Sequence, residues 1–195
     1  MSVLQTGIAK SGAAASYDID NSCRFNHVDG AGGDYLTRTT TGAGSGTWTL
    51  STWFKVSTLS DGTWSAGIFG AHQGSTATQI YIEGNDKIRF YDAGADLNAS
   101  ARVFRDPGSW YHLVFQKIAS TSLKIYVNGE LTDTHTTSVP ATSPATLSGA
   151  TVYVGQSPAL DGTRFAALDG YLADYYFIDG TALAPSDFGE LSSTT

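Results

Sequence analysis

Residues 47–57 read TWTLSTWFKVS, and this stretch decides the fold class. Large apolar residues fall at the even positions Trp48, Leu50, Phe54 and Val56. The side chains between them are Thr49, Ser51, Trp53 and Lys55. Because alternate residues of a strand point to opposite faces of a sheet, the pattern predicts a strand with one face in a core.

Further short runs of this kind follow along the chain and are separated by turn residues. The runs span residues 79–91, 110–117, 123–131, 152–154 and 170–178. Asn128-Gly129 within the third run is a strong hairpin signal, because both positions of that turn require positive φ. Apart from one short turn predicted at 184–188, helical periodicity is not seen. Many short strands with frequent turns predict an all-β sandwich or barrel.

The bulk composition fits one globular domain with an acidic surface. The chain has 195 residues, 41% of them hydrophobic, and a net charge of −7. A negative surface repels phosphate backbones, so nucleic acid is not an expected partner. The only cysteine, Cys23, alternates with Phe25 and is predicted to be a small buried residue.

The sequence predicts an N-terminal arm at residues 1–21, a β-sandwich domain at 22–190 and a C-terminal tail at 191–195. Residues 137–150 are low in complexity and predict an exposed loop within the domain. Neither a signal peptide nor an apolar stretch long enough to span a bilayer is visible. We therefore expect synthesis in a cytoplasm and no membrane insertion.

Three segments together resemble the laminin-G-like branch of the concanavalin A-like lectin/glucanase superfamily. They are WTLSTWFKV at 48–56, WYHLV at 110–114 followed by LKIYVNGEL at 123–131, and LDGYLADYYFIDGTALAPSDF at 168–188. The resemblance covers roughly residues 22–190. It implies a jelly-roll of two antiparallel sheets.

Three more segments are similar to versions of this domain in phage and marine viral proteins. They are VLQTGIAKS at 3–11, SCRFN at 22–26 and FIDGTALAPSDFGE at 177–190. The likeness implies a virion-surface protein, either a capsid decoration or a tail-fibre module. Its partners would then be other virion proteins, bound through the arm, together with further copies of this chain.

The superfamily includes β-glucanases, but the sequence lacks their catalytic motif. A retaining glycosidase needs two carboxyl groups about 5–5.5 Å apart, which the glucanases place at alternate positions of one strand. The three glutamates, Glu83, Glu130 and Glu190, are far apart in sequence, and the only Asp-x-Asp is Asp18/Asp20 in the arm. The four histidines have no zinc-site spacing, and His112 is predicted to be a hydrogen-bonded strand residue. The sequence therefore predicts a protein that is not an enzyme.

Two kinds of binding site are candidates. Exposed aromatic residues with polar neighbours are typical of glycan sites, and the predicted set is Trp53, Trp64, Tyr81, Arg89 and Tyr91. If the strands of Trp53 and Tyr81 are neighbours, these residues form one surface. Packing of the sheet or an oligomer interface is the alternative explanation of the same residues. Asp29, Asp34 and Asp169 are candidate ligands of a structural calcium ion, which prefers carboxylate and carbonyl oxygens. Ordinary turns also explain these aspartates, and no other cofactor is predicted.

Three functions remain open at this level. The first is a non-enzymatic virion-surface protein that also attaches to host glycans. The second is a free-standing carbohydrate-binding lectin domain. The third and most remote is a degenerate glycoside hydrolase.

Overall fold

The computed structural model describes residues 19–28, 32–42, 44–59, 62, 65–97 and 100–189. The predicted tail at 191–195 lies outside these residues, and so does most of the predicted arm. Within the described residues the two helical segments are single 3-10 turns, at Pro144–Thr146 and Pro185–Asp187. No described helix is long and apolar enough to cross a membrane.

The strands form two six-stranded antiparallel sheets, as the resemblance implied. Sheet A contains, in spatial order, β1 (Cys23–Phe25), β14 (Gly170–Asp179), β3 (Trp48–Val56), β8 (Tyr111–Ile118), β9 (Ser122–Val127) and β10 (Glu130–His135). Sheet B contains β2 (Leu36–Thr39), β11 (Thr151–Val154), β4 (Ala66–Gln73), β5 (Thr76–Ile82), β6 (Ile88–Asp92) and β7 (Ala95–Asp96). The fold is therefore a two-sheet jelly-roll sandwich.

The core lies between the two sheets and is built around β3. The even-numbered apolar residues of β3 are all buried, as their alternation predicted. The Trp48 ring centroid lies 6.3 Å from that of Phe69, 6.0 Å from that of Phe90 and 5.5 Å from that of Phe177. These rings come from both sheets, so Trp48 joins the two layers through offset aromatic packing.

The predicted Asn-Gly hairpin is confirmed. Asn128 and Gly129 have φ values of 52° and 80° and connect β9 to β10. Positive φ at both positions matches the right-handed twist of the flanking strands. The run at 79–91 is also a hairpin, formed by β5 and β6.

A two-stranded hairpin covers part of the outer face of sheet B. It consists of β12 (Gln156–Pro158) and β13 (Arg164–Ala167). Two glycines of β4 leave room for its backbone. A Cβ at Gly70 would lie 2.1 Å from Pro158 Cδ, and one at Gly67 would lie 2.4 Å from the Ala166 carbonyl oxygen.

The prediction that residues 137–150 form an exposed loop is wrong for half of the segment. Ser143, Pro144, Ala145 and Thr146 are buried, and the Ser143 hydroxyl donates a hydrogen bond of 2.7 Å to Asp92 Oδ1. The segment closes one end of the sandwich, where it covers a fully buried ion pair between Asp92 and Lys117. Low sequence complexity did not reveal this role, because small residues pack as closely as large ones.

The prediction that Cys23 is buried is also wrong. Cys23 is exposed although Phe25, two residues later on the same strand, is buried. β1 is an edge strand of only three residues, and Cys23 is its first residue. Alternation assigns a face to a side chain, but it does not show where along the strand the opposite sheet ends.

Candidate functional site

The structure places the predicted glycan-binding residues on two different sheets. Trp53 lies on β3 of sheet A. Tyr81, Arg89 and Tyr91 lie on β5 and β6 of sheet B. The strands of Trp53 and Tyr81 are therefore not neighbours, and the condition for one combined surface is not met. Alternation defines the faces of a strand but not the sheet that it joins. Trp64 lies outside the described residues.

A row of four side chains crosses the outer face of sheet A and alternates cations with aromatic rings. Arg24 of β1 pairs in register with Tyr171 of β14, which pairs with Lys55 of β3. Trp110, just before β8, lies next to Lys55. We call Arg24, Tyr171, Lys55 and Trp110 the cation–aromatic row.

The distances in this row allow cation–π contacts throughout. Arg24 Cζ lies 5.1 Å from the Tyr171 ring centroid. Lys55 Nζ lies 5.2 Å from the same centroid and 5.6 Å from that of Trp110. All three distances are within the range of about 6 Å in which a ring attracts a cation. The row is therefore a preorganised surface with positive charge between aromatic rings.

One end of the row is fixed by hydrogen bonds. Arg24 Nη2 donates to Asp169 Oδ1 at 2.5 Å, and Arg24 Nη1 donates to the Gly170 carbonyl at 3.1 Å. Burial alone would raise the pKa of Asp169, but hydrogen bonds from Thr58 and Arg24 hold it below its ordinary value. The Arg24 guanidinium is thus already engaged, whereas the Lys55 ammonium is held by rings.

A second row lies two residues away along β3. Trp53 pairs in register with Ala173 of β14 and with His112 of β8. The Trp53 and His112 rings stack, with centroids 5.0 Å apart and planes 24° apart. His112 Nε2 lies 2.9 Å from Ser51 Oγ, which confirms His112 as a hydrogen-bonded strand residue. Burial lowers the pKa of His112, opposed by the charge of Asp174, so this ring is neutral at pH 7.

A β-bulge in β14 turns a further ring toward this face. Ala173 pairs with Trp53 and Tyr176 pairs with Ser51, so β14 advances three residues while β3 advances two. The extra residue shifts the alternation and directs Tyr176 outward, where it is 49% exposed. The Phe188 ring centroid lies 5.9 Å from that of Tyr176.

The outer face of sheet A thus carries six aromatic rings on neighbouring strands and on the segment that follows β14. They belong to Trp110, Tyr171, Trp53, His112, Tyr176 and Phe188. We call this surface the aromatic face. Only Trp53 was singled out from the sequence as a ligand-binding residue, because the register between β3, β8 and β14 is not visible in any single strand.

The other described predicted residues lie on the outer face of sheet B, where Arg89 and Tyr81 already have partners. Arg89 Nη1 donates to Glu83 Oε1 at 2.6 Å, and its Nη2 donates to Asp96. These carboxylates raise the pKa of Arg89. The Tyr81 ring contacts that of Phe165 edge to face, with centroids 5.1 Å apart. The hairpin β12–β13 therefore covers part of this face. Arg89, the arginine of this face, is already paired with carboxylates.

The structure leaves the calcium hypothesis as a prediction. Asp29 lies outside the described residues. Asp34 Oδ2 accepts hydrogen bonds from the backbone and side-chain nitrogens of Asn26, at 3.1 and 2.7 Å, and Asp169 is bound to Arg24. Among the described residues, no three His, Cys, Asp or Glu side chains form a group that fits a metal ion. The two described candidates, Asp34 and Asp169, thus already accept hydrogen bonds from protein donors.

The only carboxylate pair brought together by a shared cation in the described residues is Glu83 with Asp96. Arg89 donates to both. In a retaining glycosidase the sugar lies between the two carboxyl groups. A guanidinium bonded to both occupies that place, so this pair does not form such a site.

A cleft of about 530 Å³ opens at one side of the sandwich, between β14 of sheet A and β2 and β11 of sheet B. Its apolar lining includes Val152, Val154 and Phe177. The Tyr175 hydroxyl is buried and has no hydrogen-bond partner among the described residues. Burial raises the pKa of Tyr175 well above its ordinary value.

Comparison with protein families identifies the chain. A laminin-G family model, described as concanavalin A-like lectin/glucanases superfamily, matches residues 29–187. The match covers most of the chain, so this protein belongs to the concanavalin A-like lectin/glucanase superfamily. A comparison with curated proteins finds no match.

Solved structures with the same fold include binding proteins and an enzyme. A heptameric SAP-like pentraxin from Limulus polyphemus is 18% identical with a TM-score of 0.66, over 91% of this chain and 84% of the pentraxin chain. A structure of botulinum neurotoxin type C, described as dependent on two ganglioside molecules for cell entry, is 13% identical with a TM-score of 0.56. The match covers 85% of this chain and 40% of the toxin chain.

The enzyme is a sialidase from Trypanosoma rangeli. It is 18% identical with a TM-score of 0.51, over 72% of this chain but only 21% of the sialidase chain. At these identities the three likenesses show the shared fold alone.

Proposed function

We propose that this protein is a non-enzymatic glycan-binding module and that the aromatic face is its binding surface. The observation that carries the proposal is the convergence of six rings with Lys55 on one face of one sheet. A sugar ring has an apolar C–H face that packs on an aromatic ring, and hydroxyl groups that need polar partners. The aromatic face offers both kinds of contact, with Lys55 as its polar group; the Ser51 and His112 side chains are buried and hydrogen-bonded to each other.

The fold comparison supports this proposal. Several of the similar structures are binding domains of botulinum neurotoxins, and one of them was solved in complex with SialylT. The family includes lectins by its description. The missing Glu-x-Asp-x-Glu motif favours binding without hydrolysis.

The test is a glycan array with matched variants on the two faces. Trp53→Ala removes a ring of the aromatic face, and Tyr91→Ala removes one from the outer face of sheet B. We expect Trp53→Ala to lower affinity at least about tenfold, as for a central aromatic anchor, and Tyr91→Ala to leave it unchanged. The reverse result would move the site to sheet B, and binding by neither the parent chain nor its variants would refute the function.

We also propose that the module is part of a virion and is attached there through residues 1–21. The support is the likeness of three sequence segments to domains of phage and marine viral proteins. Homo-oligomers and other virion proteins are then its partners. Light scattering on the chain with and without residues 1–21 tests this: an oligomer that requires the arm supports it, and a monomer in both forms argues for a free-standing lectin.

A further inference from the structure

Lys55 differs from the other cations that lie close to the aromatic face or in the core. Arg24 is paired with Asp169, and Lys117 is paired with Asp92. In the part of the chain that the structure describes, no ion pair includes Lys55. Its ammonium lies instead between the rings of Tyr171 and Trp110. The row therefore presents one positive charge that has no carboxylate partner.

The position of Lys55 makes this charge effective. Its side chain is half-buried, so solvent ions screen its charge less than that of a fully exposed lysine. The two rings also restrict its side chain before any ligand binds, which lowers the entropy lost on binding. The protein as a whole carries a net charge of −7, so an anionic ligand is repelled by most of its surface. The half-buried Lys55 ammonium is therefore one site on this acidic protein at which an anionic ligand is attracted.

The spacing along β3 relates this charge to the Trp53 ring. Lys55 follows Trp53 by two residues on the same face of the strand. Residues so spaced are roughly 6.6 Å apart, which is close to the width of one sugar ring. A sugar packed on Trp53 thus brings an acidic substituent, or the next sugar along, against the Lys55 ammonium.

We propose that the ligand of the aromatic face is an anionic glycan whose carboxylate or sulfate group is bound by Lys55. This inference rests on the proposed glycan-binding function and narrows its ligand class. Arg24 supports the site by holding Tyr171 in the row, since its guanidinium is engaged with Asp169.

The experiment uses the full chain and matched pairs of oligosaccharides. The first pair is lactose and sialyllactose, which adds a carboxylate. The second pair is an unsulfated disaccharide and its sulfated form. Affinities are measured by titration calorimetry at low and high salt, with a metal chelator present. The variants are Lys55→Gln, Lys55→Arg and, as a control on the same sheet, Lys124→Gln.

We expect the parent chain to bind at least one acidic member more tightly than its neutral partner. Lys55→Gln should reduce that preference about three- to fivefold, Lys55→Arg should keep most of it and Lys124→Gln should leave it unchanged. The preference should also fall with added salt. The oligosaccharide pair that shows the acidic preference identifies the bound group as a carboxylate or a sulfate.

The failures of the two proposals are distinguishable. Equal binding of acidic and neutral members, or an acidic preference that survives Lys55→Gln, overturns the role of Lys55 while glycan binding stands. If Trp53→Ala loses all binding but the parent chain shows no preference for acidic sugars, the role of Lys55 is again overturned and glycan binding stands. Absence of binding to every sugar tested overturns the glycan function and this inference with it.

Discussion

Replacing Lys117 with methionine is expected to destabilise the domain strongly, because it leaves a buried carboxylate without its counter-ion. Both side chains of the pair are 0% exposed, and Lys117 Nζ lies 3.4 Å from Asp92 Oδ2. The same ammonium donates to the carbonyl oxygens of Gly46 and Pro140, at 2.7 and 2.9 Å. Methionine fills a similar volume but provides none of these three contacts.

The magnitude follows from what is left unpaired. Removing one partner of a buried ion pair costs about 3–5 kcal/mol. Asp92 Oδ1 keeps the hydroxyl donors of Thr78 and Ser143, both at 2.7 Å, which limits the loss to that range. For a domain of this size the corresponding decrease in Tm is roughly 6–20 °C.

Urea unfolding followed by tryptophan fluorescence measures the effect, since Trp48 is fully buried. Lys124→Met on the same sheet is the control and should change the free energy of unfolding by no more than about 0.5 kcal/mol. A double-mutant cycle with Asp92→Asn isolates the interaction, and the double variant should be less destabilised than the sum of the single variants by about 1–3 kcal/mol. A loss below 1 kcal/mol for Lys117→Met with an unchanged m-value, or strict additivity, would refute the reasoning.

Three further predictions concern single sites. Tyr175→Phe removes a buried hydroxyl that has no described partner, so the free energy of unfolding should stay the same or rise by up to about 1 kcal/mol; a clear decrease in urea unfolding would show that the hydroxyl is bonded. Gly70→Ala should destabilise by about 1–3 kcal/mol, because its Cβ would lie 2.1 Å from Pro158 Cδ, while Gly108→Ala in an exposed turn should have little effect on Tm. Asp169 has a pKa held below its ordinary value of 3.8, so it stabilises the fold above that pH and loses this contribution as the pH falls through the folded-state pKa. Asp169→Asn should therefore flatten the decline of stability below pH 3.8, and an unchanged acid profile would count against the Arg24–Asp169 contact.

The sequence predicted individual strands well because their signals are local. The alternation of β3 depends only on residues 48–56, and the turn at Asn128-Gly129 depends on two φ values. Both features are confirmed. The sandwich class follows from the number of such strands and from the resemblance in their order.

The candidate site was predicted only in part because it depends on pairing between distant strands. Trp53 was found, but its neighbours His112 and Ala173 come from strands more than fifty residues away in sequence. Periodicity within β3 contains no information on which strands flank it. For the same reason the sequence could not decide whether Tyr81 and Arg89 share a surface with Trp53, and they lie on the other sheet.

The bulge in β14 has a consequence for how this surface can change. Before the bulge, the odd-numbered residues Tyr171 and Ala173 face outward. After the bulge, the even-numbered residue Tyr176 faces outward. If β14 kept all its residues but paired regularly with β3, Tyr175 would lie opposite Ser51 on the outer face and Tyr176 would lie opposite Leu50, against the core. The chemistry displayed by this half of the strand is therefore set by the bulge as well as by its composition, so a one-residue shift in the pairing of β14 with β3 can remodel the surface without any substitution.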